Sequence, residues 1–208
     1  MSLLQDVRSV TAELSTAAML RFLITEKFPG KTAVTASLRA PSLVVLKMAA
    51  DIDRAIPVVF CHPGHLFPES LAYRERIVEL LGLENVSVTQ GREVSVAPGD
   101  NDHYEQMWAE SLDGSNRIHE FVHVNDTLSA YDCWISAVYH FIGPAHVTHR
   151  VDVESRLIRV DPLRRWSKDD VRQFMRDNGL PFHPRAARER RRPEPSRDTP
   201  PVAPSYHY

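Results

Sequence analysis

The sequence predicts an α/β domain with a mainly parallel sheet covered by helices. Three features point that way. β-prone and helical segments alternate as β-α-β-α-β within about 60 residues, the order that builds parallel sheets. The run PVVFC (57–61) is apolar without alternation, as in a strand buried on both faces. The segment that follows carries helix punctuation, with Pro68 at its start, Glu69 in the first turn and Gly82 just past the end.

Each element can be justified in order. Residues 2–28 place Leu3, Leu4, Val7, Val10, Leu14 and Leu20 at spacings that suit an amphipathic helix or helix pair, closed by Pro29-Gly30. Thr32 to Ser37 is a short β-prone run. A helix is expected over SLVVLKMAADIDR, with Ser42 as its N-cap. PVVFC supplies the next strand, PESLAYRERIVELLG the next helix and ENVSVTQ (84–90) a third strand. Helical patterns resume from Asp102. Ligands of such folds sit beyond the carboxyl ends of the strands, which singles out the loops Ser37–Ser42 and Cys61–Ser70.

Composition narrows the class. The 208 residues hold 25 Lys+Arg against 27 Asp+Glu, and a net charge of −2 makes no case for nucleic acid or a membrane surface as partner. The chain is long enough for a core without disulfide or metal staples. Two cysteines, Cys61 and Cys133, are too few for a disulfide framework, so a reducing cytoplasm is the expected location. No apolar run reaches the roughly 18 residues of a membrane span, and MSLLQDVRSV lacks the layout of a signal peptide. Residues 185–208 differ from the rest: six Arg, five Pro and no Leu, Ile, Phe or Met. Such a tail buries too little apolar surface to offset its ordering entropy and is read as disordered. The expected organisation is one domain over 1–184, with a helical region at 1–30, and the Arg/Pro-rich tail beyond it.

The two ligand loops also carry a resemblance. PVVFCHPGHLFPESLAYRERIVELLGL holds Gly64, Leu66-Phe67-Pro68-Glu69 and Ser70 where the phosphoadenosine phosphosulfate reductase family has D-T-G-[FY]-L-F-P-E-T. TASLRAPSLVVL stands in the place of that family's nucleotide loop, roughly S-S-F-G-x-x-S. YDCWISAVYH resembles D-A-W-I-[ST]-G-x-R-R, and LIRVDPLRRWSKDDVRQFMRDNGLPFHP resembles the family's last conserved block. The likeness runs from about Thr32 to Pro184.

That resemblance implies an adenine nucleotide alpha hydrolase-like (PP-loop), Rossmann-like fold holding an adenylyl sulfate. It also implies a cysteine near the C-terminus that attacks sulfur, thioredoxin or glutaredoxin as resolving partner, and in one branch an iron–sulfur cluster. Several of the family's reagents are replaced here. No cysteine follows Cys133, and Ser115-Asn116 fall where the first pair of cluster cysteines would stand, so no such cluster is expected. Arg39 replaces the loop glycine, His62 the loop aspartate, Tyr139-His140 the paired arginines and His119-Glu120 an Arg-Lys pair. A side chain at Arg39 is expected to crowd the backbone approach that glycine permits.

The candidate nucleotide- or anion-binding residues are therefore Ser37, Arg39, Ser42, His62, Gly64, His65 and His140. Arg39 with protonated histidines suits a phosphate or carboxylate. His62, His65 and His140, with Cys61, suit a borderline metal. Loss of the site altogether is the third reading. The corresponding functions are a redox-inactive binder of an adenine nucleotide or related anion, a metal-dependent enzyme on the same fold, and a structural or regulatory partner of a sulfur-assimilation or sulfur-transfer enzyme; a protein partner or a homo-oligomer is the assembly considered. Cys61, Cys133 and the three tryptophans read as core.

Overall fold

The computed structural model describes residues 2–63, 66–94, 107–109, 118–120, 127–136, 149–154 and 156–184. Its centre is β1 (Thr32–Ala36), buried at every position. A strand buried on both faces needs a layer on each side and partners along both edges. β1 has both partners, pairing in parallel with β2 (Val58–Pro63) and with β6 (Cys133–Ser136). β2 pairs in parallel with β3 (Val86–Val94), and β6 with β8 (Leu157–Val160). Antiparallel strands close both sides: β7 (Val151–Glu154) on β8, and β5 (Ile118–Glu120) followed by β4 (Met107–Ala109) on β3. The order is β4-β5-β3-β2-β1-β6-β8-β7, a mostly parallel mixed sheet as expected.

The helices follow their sequence signals closely. α1 (Leu3–Thr11) starts in a capping box, Ser2 with Gln5, and α2 (Thr16–Arg21) is capped by Ser15. The chain then unwinds slightly into a wider π-helical turn (Phe22–Lys27) that brings Leu23 and Ile24 into the core. The first 30 residues thus form the expected helix pair. α3 (Ala40–Ala50) is buried nearly all round, and α4 (Pro68–Leu81) ends on Gly82 at φ 61°, the left-handed stop that favours glycine. α5 (Lys168–Asp177) opens on a second capping box, Ser167 with Asp170.

Period-two alternation sorts the strand residues between two layers. Val34, Ala36, Val58, Phe60 and Ile135 meet the helices through Leu43, Leu46, Tyr73, Ile77 and Met175. Ala33, Val59, Cys61, Trp134 and Leu157 face the opposite side, with Leu128. Phe60 is fully buried, so truncating it to Ala should cost about 3–5 kcal/mol.

Two expectations are corrected. Ser42 is not the N-cap of its helix: α3 begins two residues earlier, capped by Arg39, because Pro41 fits the first turn where no N–H is needed. The helical pattern from Asp102 gives way, where described, to the short strands β4 and β5. β2 and β3 also run past their expected ends, to Pro63 and Val94. The tail from 185 lies outside the described residues. Among the described residues no helix is long and apolar enough to cross a membrane.

Candidate functional site

The chain leaves β1 for β2 and β3 on one side, then returns to place β6 on the other. Such a reversal opens a crevice beyond the carboxyl ends of the strands on either side of the switch. Here those ends are Ala36-Ser37, His62-Pro63 and Ser136, with Thr35 level with Ser136 and Ala36 level with Phe60. Continued by two residues, the second register sets His62 beside the Ser37–Arg39 loop. β3 overshoots the same edge: Pro63 is level with Gly91, and Arg92–Val94 pair with β5. That overshoot carries the backbone of His119 to the crevice side of the sheet.

The first loop is closed on itself. The Ser37 N–H donates to Ser42 Oγ at 3.0 Å, and the two hydroxyl oxygens lie 3.0 Å apart. Ser42 is buried and Ser37 half-buried. Arg39 adopts an extended backbone, φ −94° and ψ 155°, at the positive end of α3. A position with negative φ accepts a side chain without strain. The backbone of Arg39 is therefore unstrained, and a cation stands where anions are already favoured.

The second loop holds a feature that the sequence did not announce. His62 is 3% exposed and stacks on Phe60, with ring centroids 6.0 Å apart. Arg74 Nη1, from the second turn of α4, donates to His62 Nε2 at 3.3 Å. Burial, then the neighbouring Arg74 charge, lowers the His62 pKa to about 4. His62 is thus neutral at neutral pH. The positive charge here belongs to Arg74. A lone arginine on a polar helix face looks like any solvated charge in a sequence; the contact across the loop is what distinguishes it.

Gly64, His65 and His140 lie outside the described residues, so their place in the crevice stays an expectation. His62 Nε2 is taken up by a cation, which leaves that nitrogen unsuited to a metal. Among the described residues no group of three or more His, Cys, Asp or Glu side chains converges to hold a metal ion.

Both thiols are buried, Cys61 at the end of the β2 apolar run and Cys133 at the start of β6. Burial pushes each thiol up to about 12, so neither is a thiolate at neutral pH. Trp134 is core, as expected, and its Nε1–H donates to Thr35 Oγ1 at 2.8 Å. Trp166 is half-buried against Phe174 and donates to Thr16 Oγ1. Trp108 lies in β4, and its side chain is outside the description.

A third group joins α4 to the last described segment. Ser70 Oγ and His183 Nε2 lie 3.1 Å apart, both buried. The Tyr73 ring meets His183 edge-on, with centroids 4.8 Å apart, and its hydroxyl donates to the Pro181 carbonyl at 2.7 Å. Residues 181–184 are thereby fastened beside the helix that begins at the second loop.

The fold defines an α/β protein with a mostly parallel mixed sheet and a topological switch point at β1. The phosphoadenosine phosphosulfate reductase domain matches residues 31–189, and the chain belongs to that family. It is 26% identical over 190 residues to phosphoadenosine 5'-phosphosulfate reductase of Alkalilimnicola ehrlichii, covering 87% of this chain and 75% of the relative. To adenosine 5'-phosphosulfate reductase of Mesorhizobium japonicum it is 28% identical over 166 residues, covering 78% and 63%. A crystal structure of phosphoadenylyl-sulfate reductase from Candida auris, a phosphate complex, shares the fold at a TM-score of 0.60 and 17% identity, covering 88% and 90% of the two chains.

Proposed function

We propose that the crevice at the ends of β1, β2 and β6 binds an adenine nucleotide or a similar anion, and that these 208 residues do not reduce a sulfonucleotide through a thiol. The observation that carries this reading is the contrast between frame and reagent. The family's sheet and loops are present, while the two thiols of the chain lie in the core with pKa values near 12. A nucleophilic sulfur must be a thiolate with access to substrate, and Cys61 and Cys133 have neither property. Ser37, Arg39, Ser42 and Arg74 supply hydrogen-bonding and positive groups at the ligand edge, which suit phosphate or sulfate oxygens. Gly64, His65 and His140 complete the proposed set.

ATP, AMP, adenosine phosphosulfate and phosphoadenosine phosphosulfate should each be tried in thermal-shift titrations. At least one is expected to raise the melting temperature, and Arg39→Glu should reduce the rise. No shift with any of them up to millimolar concentration overturns the binding reading. In a thioredoxin-coupled assay the chain is expected to release no sulfite; turnover there overturns the redox-inactive part.

A further inference from the structure

At the β2 end of the crevice a neutral imidazole, His62, stands beside the Arg74 guanidinium. The family resemblance places an aspartate where His62 stands. An arginine beside an aspartate is spent as an ion pair, with little net charge left for a ligand. An imidazole takes one N–H of the guanidinium and returns no charge. Arg74 therefore keeps its full positive charge while its direction is fixed.

The geometry is specific. His62 lies two residues past Phe60, the last β2 residue paired with β1, and so toward the carboxyl end of the sheet, where β1 gives way to the Ser37–Arg39 loop. Arg74 sits in the second turn of α4, and helical side chains lean toward the helix N-terminus, here back toward that edge. Its Nη1 reaches His62 Nε2 at 3.3 Å, and the guanidinium is half-buried. Phe60 backs the imidazole from within the sheet. Among the described residues the hydrogen-bond partner of Arg74 is this neutral ring and not a carboxylate. A guanidinium has five N–H donors, and among the described residues one of them is used.

We propose that Arg74, aimed by His62, is an anion-recognising side chain of the crevice that selects ligands bearing a phosphate or sulfate at the β2 end. Arg74 makes the contact; His62 is a positioning residue. The inference rests on the nucleotide- or anion-binding reading given above and names the side chain that sets its charge preference.

The test compares AMP with adenosine by isothermal titration on the full chain. Arg74→Gln should weaken AMP at least tenfold and leave adenosine within twofold. His62→Asp should weaken AMP similarly by pairing with Arg74, whereas His62→Gln, which keeps an acceptor, should stay within threefold of wild type. Equal AMP affinity in wild type and Arg74→Gln overturns the inference and leaves the binding reading intact, as does loss of adenosine and AMP together in that variant when its circular dichroism and melting are unchanged. Where another of the four nucleotides binds and AMP does not, it replaces AMP in the comparison; if wild type binds none of them, the nucleotide reading fails first. Inorganic sulfate then decides for Arg74: a sulfate-induced melting shift that Arg74→Gln abolishes supports it, and an equal or absent shift overturns it.

Discussion

His62 shows how one residue can couple a site to stability. Its folded pKa is about 4 against an ordinary 6.5, because burial and Arg74 both disfavour the imidazolium. Above pH 6.5 neither state binds the proton and the contribution is complete. Between 6.5 and 4 the unfolded chain takes the proton and the folded chain does not, so stability falls as pH falls. From pH 7.5 to 5.0 the loss from this residue should be about 2 kcal/mol. Urea unfolding at the two pH values should show it, and His62→Gln should lack that portion of the change; an unaltered slope in the variant refutes the assignment. The thiols make a second residue-level prediction. With pKa values near 12 and no exposure to speak of, Cys61 and Cys133 should resist a disulfide reagent such as dithionitrobenzoate at pH 8 in the folded chain. Both should react in urea. Fast labelling of either in the native chain would remove the physical basis for calling them inert.

At the scale of elements, the contact between α4 and residues 181–184 is a buried polar junction. Such groups stabilise when all partners are present and cost heavily when one is lost. Ser70→Ala and His183→Ala should each cost about 1–3 kcal/mol in urea unfolding. Because the two atoms are 3.1 Å apart, the double variant should lose less than the sum of the single ones, by about 0.5 kcal/mol or more. Strict additivity would mean the contact is not energetically used. Part of this scale was readable in the sequence: Pro68 and Gly82 bracket α4 where it is found. β4 and β5 were not readable, since three residues are too few to show alternation. The π-helical turn escaped for a different reason, as its apolar spacing is that of an ordinary helix. Ser42 misled because a serine before an apolar run signals a cap, and here Pro41 had already begun the helix.

For the whole molecule, the alternation of segments implied a mainly parallel sheet and singled out two loops at strand ends, while the strand order, with its antiparallel margins, comes from the structure. The candidate site was legible only in part. Ser37, Arg39, Ser42 and His62 come from loops that sequence order alone brings to the strand ends. Arg74 and His183 reach their partners through tertiary contacts spanning 12 and 113 positions, which no local pattern encodes. Position in the sheet also governs how the molecule opens. β1 is bonded along both edges and covered on both faces, while β7 is an edge strand half exposed to water. Amide exchange should therefore be slowest in β1, β2 and β6 and faster by orders of magnitude in β7. Exchange in β1 at the rate of β7 would contradict the layered core described here.

The closed loop between Ser37 and Ser42 has a thermodynamic consequence of its own. Its backbone shape is already held by two internal contacts before any ligand arrives. A flexible loop would have to surrender conformational freedom on binding, and that loss would be subtracted from affinity. Here most of it has been surrendered during folding. On the proposed binding reading, a ligand at this edge would meet a loop already set in shape, closer to a key entering a fixed lock than to a hand closing.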